Sequence, residues 1–158
     1  MRNKKVTHTM ERDIILDWWY PQAPEEVWEC LTNAELLGEW FMKNDFKPIV
    51  GHKFQFRSKP IPVFNWDGIV YGTVLEIVPL KKIVYRWQGG AAPGKVHLDT
   101  TVTWILKEKN NGTQLRLEHR GFKGMRNLFA RMVMEKGWKK LGTKKLPKTL
   151  EKLGHGQI

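Results

Sequence analysis

The sequence contains a single cysteine, Cys30, among its 158 residues. One thiol cannot form an internal disulfide, and no spacing of cysteine and histidine residues is typical of a zinc site. No apolar run approaches the roughly 18–20 residues that a membrane-spanning helix needs. No apolar segment typical of a secretory signal follows the basic residues 1–5. We therefore expect a cytoplasmic protein without an internal disulfide, a metal or a membrane span.

Acidic side chains are scarce in one part of the chain. Residues 1–119 carry 16 basic and 14 acidic side chains, whereas residues 120–158 carry 11 basic and 2 acidic ones. The formal charge of +11 is therefore concentrated in the C-terminal segment. Such a segment is more often the solvated face of an amphipathic helix than a surface for an anionic partner. Basic segments of this kind can also bind nucleic acid or anionic membranes.

Tryptophan is abundant in the sequence. Large aromatic residues are usually buried, so a bulky core explains most of them. The alternative is a hollow fold whose pocket has aromatic walls. The eight tryptophans are spread along the chain at Trp18, Trp19, Trp28, Trp40, Trp66, Trp87, Trp104 and Trp138.

The N-terminal part predicts one strand followed by two short helices. Apolar residues on both faces of residues 11–20 indicate a strand that is partly covered on each side. Pro24 suits the first turn of a helix, where its missing N–H is harmless. Thr32, with Glu35 three residues later, forms a capping-box pattern, which predicts that a second helix begins there.

The middle of the chain predicts a series of antiparallel strands. Residues 44–50 and 52–57 read as a hairpin around Gly51, residues 58–64 as a proline-broken loop, and residues 66–78 as a long strand. Glycines predict a flexible loop over residues 89–94. Alternation predicts three further strands, whose inward faces carry Ile83, Tyr85 and Trp87, then Val102, Trp104 and Leu106, then Leu115, Leu117 and His119.

The C-terminal segment predicts one long helix, over residues 127–153. Gly137 and Gly142 weaken this helix, and Pro147 should kink it. The element order favours a curved antiparallel sheet that grips the terminal helix. The expected inner side of the helix consists of Phe129, Met132, Val133, Trp138, Leu141, Leu146, Leu150 and Leu153.

Residues 23–41 resemble a family signature, A-P-x-x-V-W-x-x-L-T-x-x-x-x-L-x-x-W-F. This signature is typical of proteins similar to the activator of the heat-shock-protein-90 ATPase, within the START and Bet v 1-like (SRPBCC) superfamily. The resemblance covers residues 11–153. It continues through the segments 72–79, 84–87, 112–115, 119–122 and 137–138.

The resemblance implies an α+β helix-grip fold with a cavity between the sheet and the C-terminal helix. The sheet should have about six or seven strands, with two short helices after the first strand. We expect one START-like domain over residues 1–158, with its core at residues 11–153 and a basic tail at residues 1–10. We expect eight residues to line this cavity, either because strand alternation points them inward or because they lie at its ends. They are Trp40, Phe56, Trp66, Trp87, Trp104, His119, Phe122 and Trp138.

The sequence offers few candidates for catalysis. His119 neighbours Glu118, but adjacent strand residues point to opposite faces. His97 and Asp99 share parity beside a glycine-rich loop, and a solvated loop is the simpler interpretation. Cys30 has no activating partner nearby, which favours an inert buried thiol. We therefore predict no catalytic residue and no cofactor, and the sequence favours a protein that is not an enzyme.

Three functions remain at this point. The first is binding of a small apolar or aromatic ligand in the cavity, with a link to the stress response as one extension. The second is a protein-interaction module, similar to the chaperone activator, that uses its basic C-terminal helix against an acidic partner. The third is binding of nucleic acid or an anionic surface, which the absence of a nucleic-acid motif disfavours. A homodimer is compatible with the sequence but is not required by it.

Overall fold

A computed structural model of the chain describes residues 13–156, apart from the side chain of Arg126. The predicted basic tail, residues 1–10, lies outside the described residues. The strands are β1 (Ile14–Tyr20), β2 (Lys43–Asn44), β3 (Lys53–Arg57), β4 (Ile69–Val78), β5 (Lys82–Gly90), β6 (Val96–Lys109) and β7 (Gly112–Arg120). The helices are α1 (Pro24–Thr32), α2 (Ala34–Trp40), α3 (Gly124–Lys140) and α4 (Leu146–Gly154), with a 3₁₀ turn at Pro62–Phe64 and a π-helical segment at Leu141–Lys145.

The seven strands form one curled antiparallel sheet in the order β1-β7-β6-β5-β4-β3-β2. The predicted alternation is confirmed, since each inward face along β3, β5, β6 and β7 is buried. Helices α1 and α2 pack against α4, and α1 also contacts β6 and β7. This architecture confirms the predicted α+β helix-grip fold.

The start of the second helix differs from the prediction. Thr32 ends α1, where its hydroxyl donates to the Trp28 carbonyl at 2.8 Å. The cap of α2 is Asn33, whose Oδ1 accepts hydrogen bonds from the backbone N–H groups of Glu35 and Leu36. A capping-box pattern cannot choose between adjacent residues that both have a suitable side-chain oxygen.

Three strand boundaries also differ from the prediction. The expected hairpin around Gly51 shrinks to β2 and β3, because residues 45–52 form a loop that contains Pro48. Strand β4 begins at Ile69, so Trp66 lies ahead of it in the loop. Gly89 and Gly90 belong to β5, where they pair with β6.

The C-terminal helix accommodates Pro147 with a π-helical turn, which is wider than an α-helical turn. The Leu146 N–H donates to the Leu141 carbonyl, five residues back, and this bond defines the π-helical segment. In that register residue 147 would donate to the Gly142 carbonyl, but Pro147 has no N–H. The Tyr20 hydroxyl donates to that carbonyl instead, at 2.5 Å. The expected disruption by Pro147 therefore takes the form of a π-helical turn that β1 supports.

The predicted inner side of this helix is only partly correct. Trp138, Leu146 and Leu150 are buried, and Leu141 and Leu153 are half-buried. The other three members, Phe129, Met132 and Val133, are exposed. Phe129 and Val133 line a cavity rather than packed core, and Met132 faces the solvent. No helix within residues 13–156 is long and apolar enough to cross a membrane.

Candidate functional site

A cavity of about 520 Å³ lies between α3, the loop before β4, and strands β4 to β6. Its volume falls within the range of about 300–1,000 Å³ that is typical of small-molecule sites. Its walls are mainly apolar. They are formed by Phe41, Met42, Ile61, Val63, Phe64, Asn65, Trp66, Val70, Trp87, Gly89, His97, Leu98, Asn127, Phe129, Ala130, Val133, Met134, Gly137, Trp138 and Leu141.

The inner wall of the cavity consists of three aromatic side chains in mutual contact. The Phe41 ring stacks on Trp138 with a centroid distance of 5.3 Å. Trp87 lies 5.5 Å from Trp138 and 6.1 Å from Phe41. These side chains come from the end of α2, from β5 and from α3. The inner wall thus lies where the concave face of the sheet meets α2 and α3.

The loop before β4 forms the outer wall. The Trp66 indole N–H donates to the Ile69 carbonyl at 2.9 Å. The indole of Trp66 packs against Gly89, where a Cβ would lie 3.4 Å from the indole nitrogen. Across the mouth, the Phe64 ring lies 5.6 Å from the Phe129 ring of α3. Two aromatic residues of one loop therefore close the cavity against the sheet and the helix.

Polar groups gather at one end of the cavity. The His97 Nε2 atom lies 3.1 Å from the Asn65 carbonyl, to which it donates as an N–H. The Asn127 side-chain amide donates to the His97 carbonyl at 3.3 Å. These contacts tie the loop, β6 and α3 together. Asp99 forms a bidentate ion pair with Arg86, so His97 and Asp99 are held by different partners.

His119 is fully buried behind the inner wall. The Trp138 indole N–H donates to its Nδ1 at 3.1 Å, and Nε2 lies 2.8 Å from the Thr100 hydroxyl. The Thr100 hydroxyl donates to the Trp87 carbonyl at 2.9 Å, so Nε2 must carry the ring proton. Burial lowers the pKa of His119 to about 3, which keeps the ring neutral. His119 thereby orients an indole of the cavity wall.

The structure brings three of the eight nominated residues to the cavity surface. Trp66, Trp87 and Trp138 line it. The remaining five, which are Trp40, Phe56, Trp104, His119 and Phe122, are buried in the layer behind it.

The layer behind the wall is tied to it by ring contacts and hydrogen bonds. Phe56 contacts Phe41 at 4.8 Å, and Trp104 contacts Trp138 at 5.5 Å between ring centroids. The Trp40 and Trp104 indole N–H groups have partners of their own, the Cys30 carbonyl and the Tyr85 hydroxyl.

Sequence reasoning missed most of the aliphatic lining and three aromatic residues. Phe41 ends the family signature and follows a helix, a position from which a side chain can reach the core. Phe64 was hidden by the prolines of its loop, which indicate only irregular structure. The apolar pattern places Phe129 on the inner side of the helix, and that pattern alone does not separate a packed face from a cavity wall.

The thiol of Cys30 is not activated. Burial raises the pKa of the Cys30 thiol to about 12, and Glu26 and Glu29 add to this effect. The thiol is therefore protonated and inert at neutral pH. Within the described residues, no group of three or more His, Cys, Asp or Glu side chains is placed to hold a metal ion. The arrangement is suited to enclosing and orienting an apolar molecule.

Known proteins share this architecture. Protein MLL2253 of Mesorhizobium loti is 32% identical, with a TM-score of 0.77 over 89% of this chain and 98% of that chain. Protein BH1534 of Bacillus halodurans is 27% identical, with a TM-score of 0.68 over 87% and 96%. The Aha1 dimer of Colwellia psychrerythraea is 18% identical, with a TM-score of 0.64 over 82% and 89%.

The family assignment rests on a longer stretch of sequence than the signature. No curated protein matches the chain. Residues 22–151 match the family described as Activator of Hsp90 ATPase homolog 1-like protein. This span runs from the turn after β1 into α4 and includes every cavity-lining residue. The chain therefore belongs to the family of Activator of Hsp90 ATPase homolog 1-like proteins.

Proposed function

We propose that the protein binds a small apolar molecule with aromatic character in the cavity between the sheet and α3. The observation that carries the proposal is a space of about 520 Å³ whose wall is built from Phe41, Trp87 and Trp138. Aromatic rings prefer offset or edge contacts with other rings. A planar ligand fits such walls better than a flexible chain does, because it loses less conformational freedom on binding.

Apolar burial supplies the affinity in this proposal. Covering about 250 Å² of apolar ligand surface contributes roughly 6 kcal/mol before the cost of association is subtracted. The polar end of the cavity, with Asn65, His97 and Asn127, orients the ligand through one or two hydrogen bonds.

The eight nominated residues divide between two roles in this proposal. Trp66, Trp87 and Trp138 contact the ligand. The second layer, which consists of Trp40, Phe56, Trp104, His119 and Phe122, holds Trp87 and Trp138 in place.

The proposal is tested by titrating the protein with a panel of flavonoids, polycyclic aromatics and fatty acids. Binding is followed by tryptophan fluorescence and by thermal unfolding. Since Trp66, Trp87 and Trp138 line the cavity, an occupant should quench or shift their emission. A ligand at 100 times its dissociation constant should also raise the free energy of unfolding by about 2.7 kcal/mol.

A matched pair of variants on α3 locates the binding. Ala130 lines the cavity, so Ala130→Phe should fill part of it and weaken binding at least about tenfold. Leu128 is half-buried on the same helix but outside the lining, so Leu128→Phe should leave binding nearly unchanged. Equal effects of the two substitutions, or no saturable response to any compound, would contradict the proposal.

A further inference from the structure

The first half of α3 exposes more apolar surface than a solvated helix normally does. Met125 is 85% exposed, Met132 is 62% exposed and Phe129 is 57% exposed. Val63, on the loop across the cavity mouth, is 84% exposed. Single exposed apolar residues are ordinary, but a contiguous group of this kind marks an interaction surface.

These residues form one continuous surface. Met125, Phe129 and Met132 are spaced four and three residues apart, so they share one stripe of α3. The ring contact between Phe129 and Phe64 joins the stripe to the loop that carries Val63. We call this set, Val63, Phe64, Met125, Phe129 and Met132, the apolar rim. It borders the mouth of the cavity, which Val63, Phe64 and Phe129 also line.

Basic side chains adjoin the apolar rim. Residues 123–140 contain six basic side chains and one acidic side chain. Lys136 and Lys140 are exposed and continue the stripe of Met132 by one and two turns. The one acidic group, Glu135, is engaged by both Arg131 and Lys139. The surface around the rim is therefore electropositive and has no free carboxylate in this segment.

The lysines of this surface favour a lipid bilayer over a protein partner. The cores of protein interfaces are enriched in methionine, aromatic residues and arginine, but they are depleted in lysine. Here Lys136 and Lys140 continue the stripe of methionine and phenylalanine along the helix. An apolar stripe of this kind enters the boundary between headgroups and acyl chains, while flanking lysines extend toward anionic headgroups.

We infer that the apolar rim and its lysines dock the protein on an anionic lipid surface. Met125, Phe129 and Met132 enter the outer acyl region, and Lys136 and Lys140 pair with headgroup phosphates. In this orientation the mouth of the cavity faces the bilayer. Docking depends on the rim alone, so it holds whether or not the cavity binds the ligand proposed above.

The test is sedimentation of the full chain with vesicles of phosphatidylcholine, alone or with added phosphatidylglycerol. The protein should bind the mixed vesicles, and added salt should weaken that binding because it screens the lysines. Met125→Gln with Met132→Gln removes apolar surface from exposed helix positions and should weaken binding about tenfold. Lys136→Gln with Lys140→Gln should weaken binding about tenfold as well.

Matched controls distinguish the contribution of the rim and its lysines from that of any other exposed apolar or basic side chain. Ile49 and Val50 are exposed and lie outside the rim, so Ile49→Gln with Val50→Gln should change vesicle binding by less than about twofold. Lys144 and Lys148 are exposed beyond α3, so Lys144→Gln with Lys148→Gln should have a smaller effect than the α3 pair. Circular dichroism checks that each variant is folded.

Three results would overturn the inference. One is the absence of binding to either kind of vesicle. Another is equal loss of binding in the rim and control variants, which would indicate nonspecific charge attraction. The third is self-association in sedimentation velocity that Met125→Gln with Met132→Gln abolishes, without vesicle binding, which would make the rim an interface between two copies of the chain.

Discussion

His119 has a different partner at each ring nitrogen, and both partners belong to the structure that holds the cavity wall. Nδ1 accepts from the Trp138 indole, while the Nε2 proton is directed at Thr100. The ring is therefore fixed as one neutral tautomer. A charged ring would lose the acceptor at Nδ1 and place an unpaired cation in the core.

This environment predicts a pH-dependent stability. The unfolded chain binds the His119 proton with a pKa near 6.5, whereas the folded pKa is about 3. Because the unfolded state binds the proton more readily, the contribution of neutral His119 is complete above about pH 6.5 and is lost as the pH falls toward 3. The free energy of unfolding should fall by up to about 1.4 kcal/mol per pH unit below pH 6.5.

Denaturant unfolding at several pH values between 4.5 and 7.5 measures this slope. His119→Gln supplies the control, because an amide provides a donor and an acceptor without titrating. The slope should flatten in His119→Gln if that variant folds. A slope in the variant as steep as in the parent would show that other groups cause it.

At the scale of elements, the π-helical segment is held by two side chains of β1. The Tyr20 hydroxyl donates to the Gly142 carbonyl, and the Trp18 indole donates to the Thr143 hydroxyl. Burial raises the pKa of Tyr20, so its hydroxyl keeps the proton that the carbonyl needs. The strand thus supplies the donor that Pro147 lacks.

Tyr20→Phe should destabilise the fold by about 1–3 kcal/mol, because it leaves the Gly142 carbonyl buried without a donor. Tyr71→Phe is the matched control. Tyr71 is half-buried and its hydroxyl donates to Asp67, so its loss should cost less than about 1 kcal/mol. Chemical denaturation of the two variants gives the comparison.

A double-mutant cycle with Pro147→Ala identifies the mechanism. Alanine in place of the proline would restore a backbone N–H, so Tyr20→Phe should cost less in that background than in the parent chain. An unchanged cost would mean that the hydroxyl acts through packing rather than as a substitute donor.

Alanine substitutions at two glycines of the C-terminal helix should have opposite effects on the stability of the protein. A Cβ on Gly142 would lie 2.2 Å from Cε2 of Trp18, so Gly142→Ala should destabilise the protein by about 1–3 kcal/mol. A Cβ on Gly137 would meet no atom within 4 Å, so Gly137→Ala should stabilise the helix by about 0.5–1 kcal/mol. Thermal unfolding of both variants tests the pair, and effects of the same sign would contradict the packing described here.

The sequence predicts strands better than helix faces in this chain, and the reason is physical. Strands such as β7 bury one side, so a period of two identifies Leu115, Leu117 and His119 as inward-facing. Helix α3 has apolar residues on several sides, since Trp138 is buried in the cavity wall, Val133 lines the cavity at its exposed side and Met132 faces the solvent. Apolar periodicity assumes a single buried face, so it places all three on one inner side.

At the scale of the whole molecule, the cavity exists because the C-terminal helix is packed tightly along its second half but not along its first half. Helices α1 and α2 pack against α4, and Tyr20 and Trp18 of β1 form hydrogen bonds with the π-helical segment. The first half of α3 lines the cavity instead. The family resemblance predicted such a space, but its lining depends on a loop whose prolines hide its structure from sequence analysis. For this reason the sequence nominated Trp66, Trp87 and Trp138 but missed Phe41, Phe64 and most aliphatic residues.

Occupation of this space by an aromatic ligand can be followed at the indole N–H signals of the eight tryptophans. A ¹H–¹⁵N spectrum is recorded with and without the tightest-binding compound of the panel, and Trp→Phe variants assign the signals. Trp66, Trp87 and Trp138 should shift, while Trp19 and Trp28, which lie outside the lining, should not. Shifts confined to Trp19 or Trp28, or a spectrum that no compound changes, would mean that no aromatic ligand occupies the cavity.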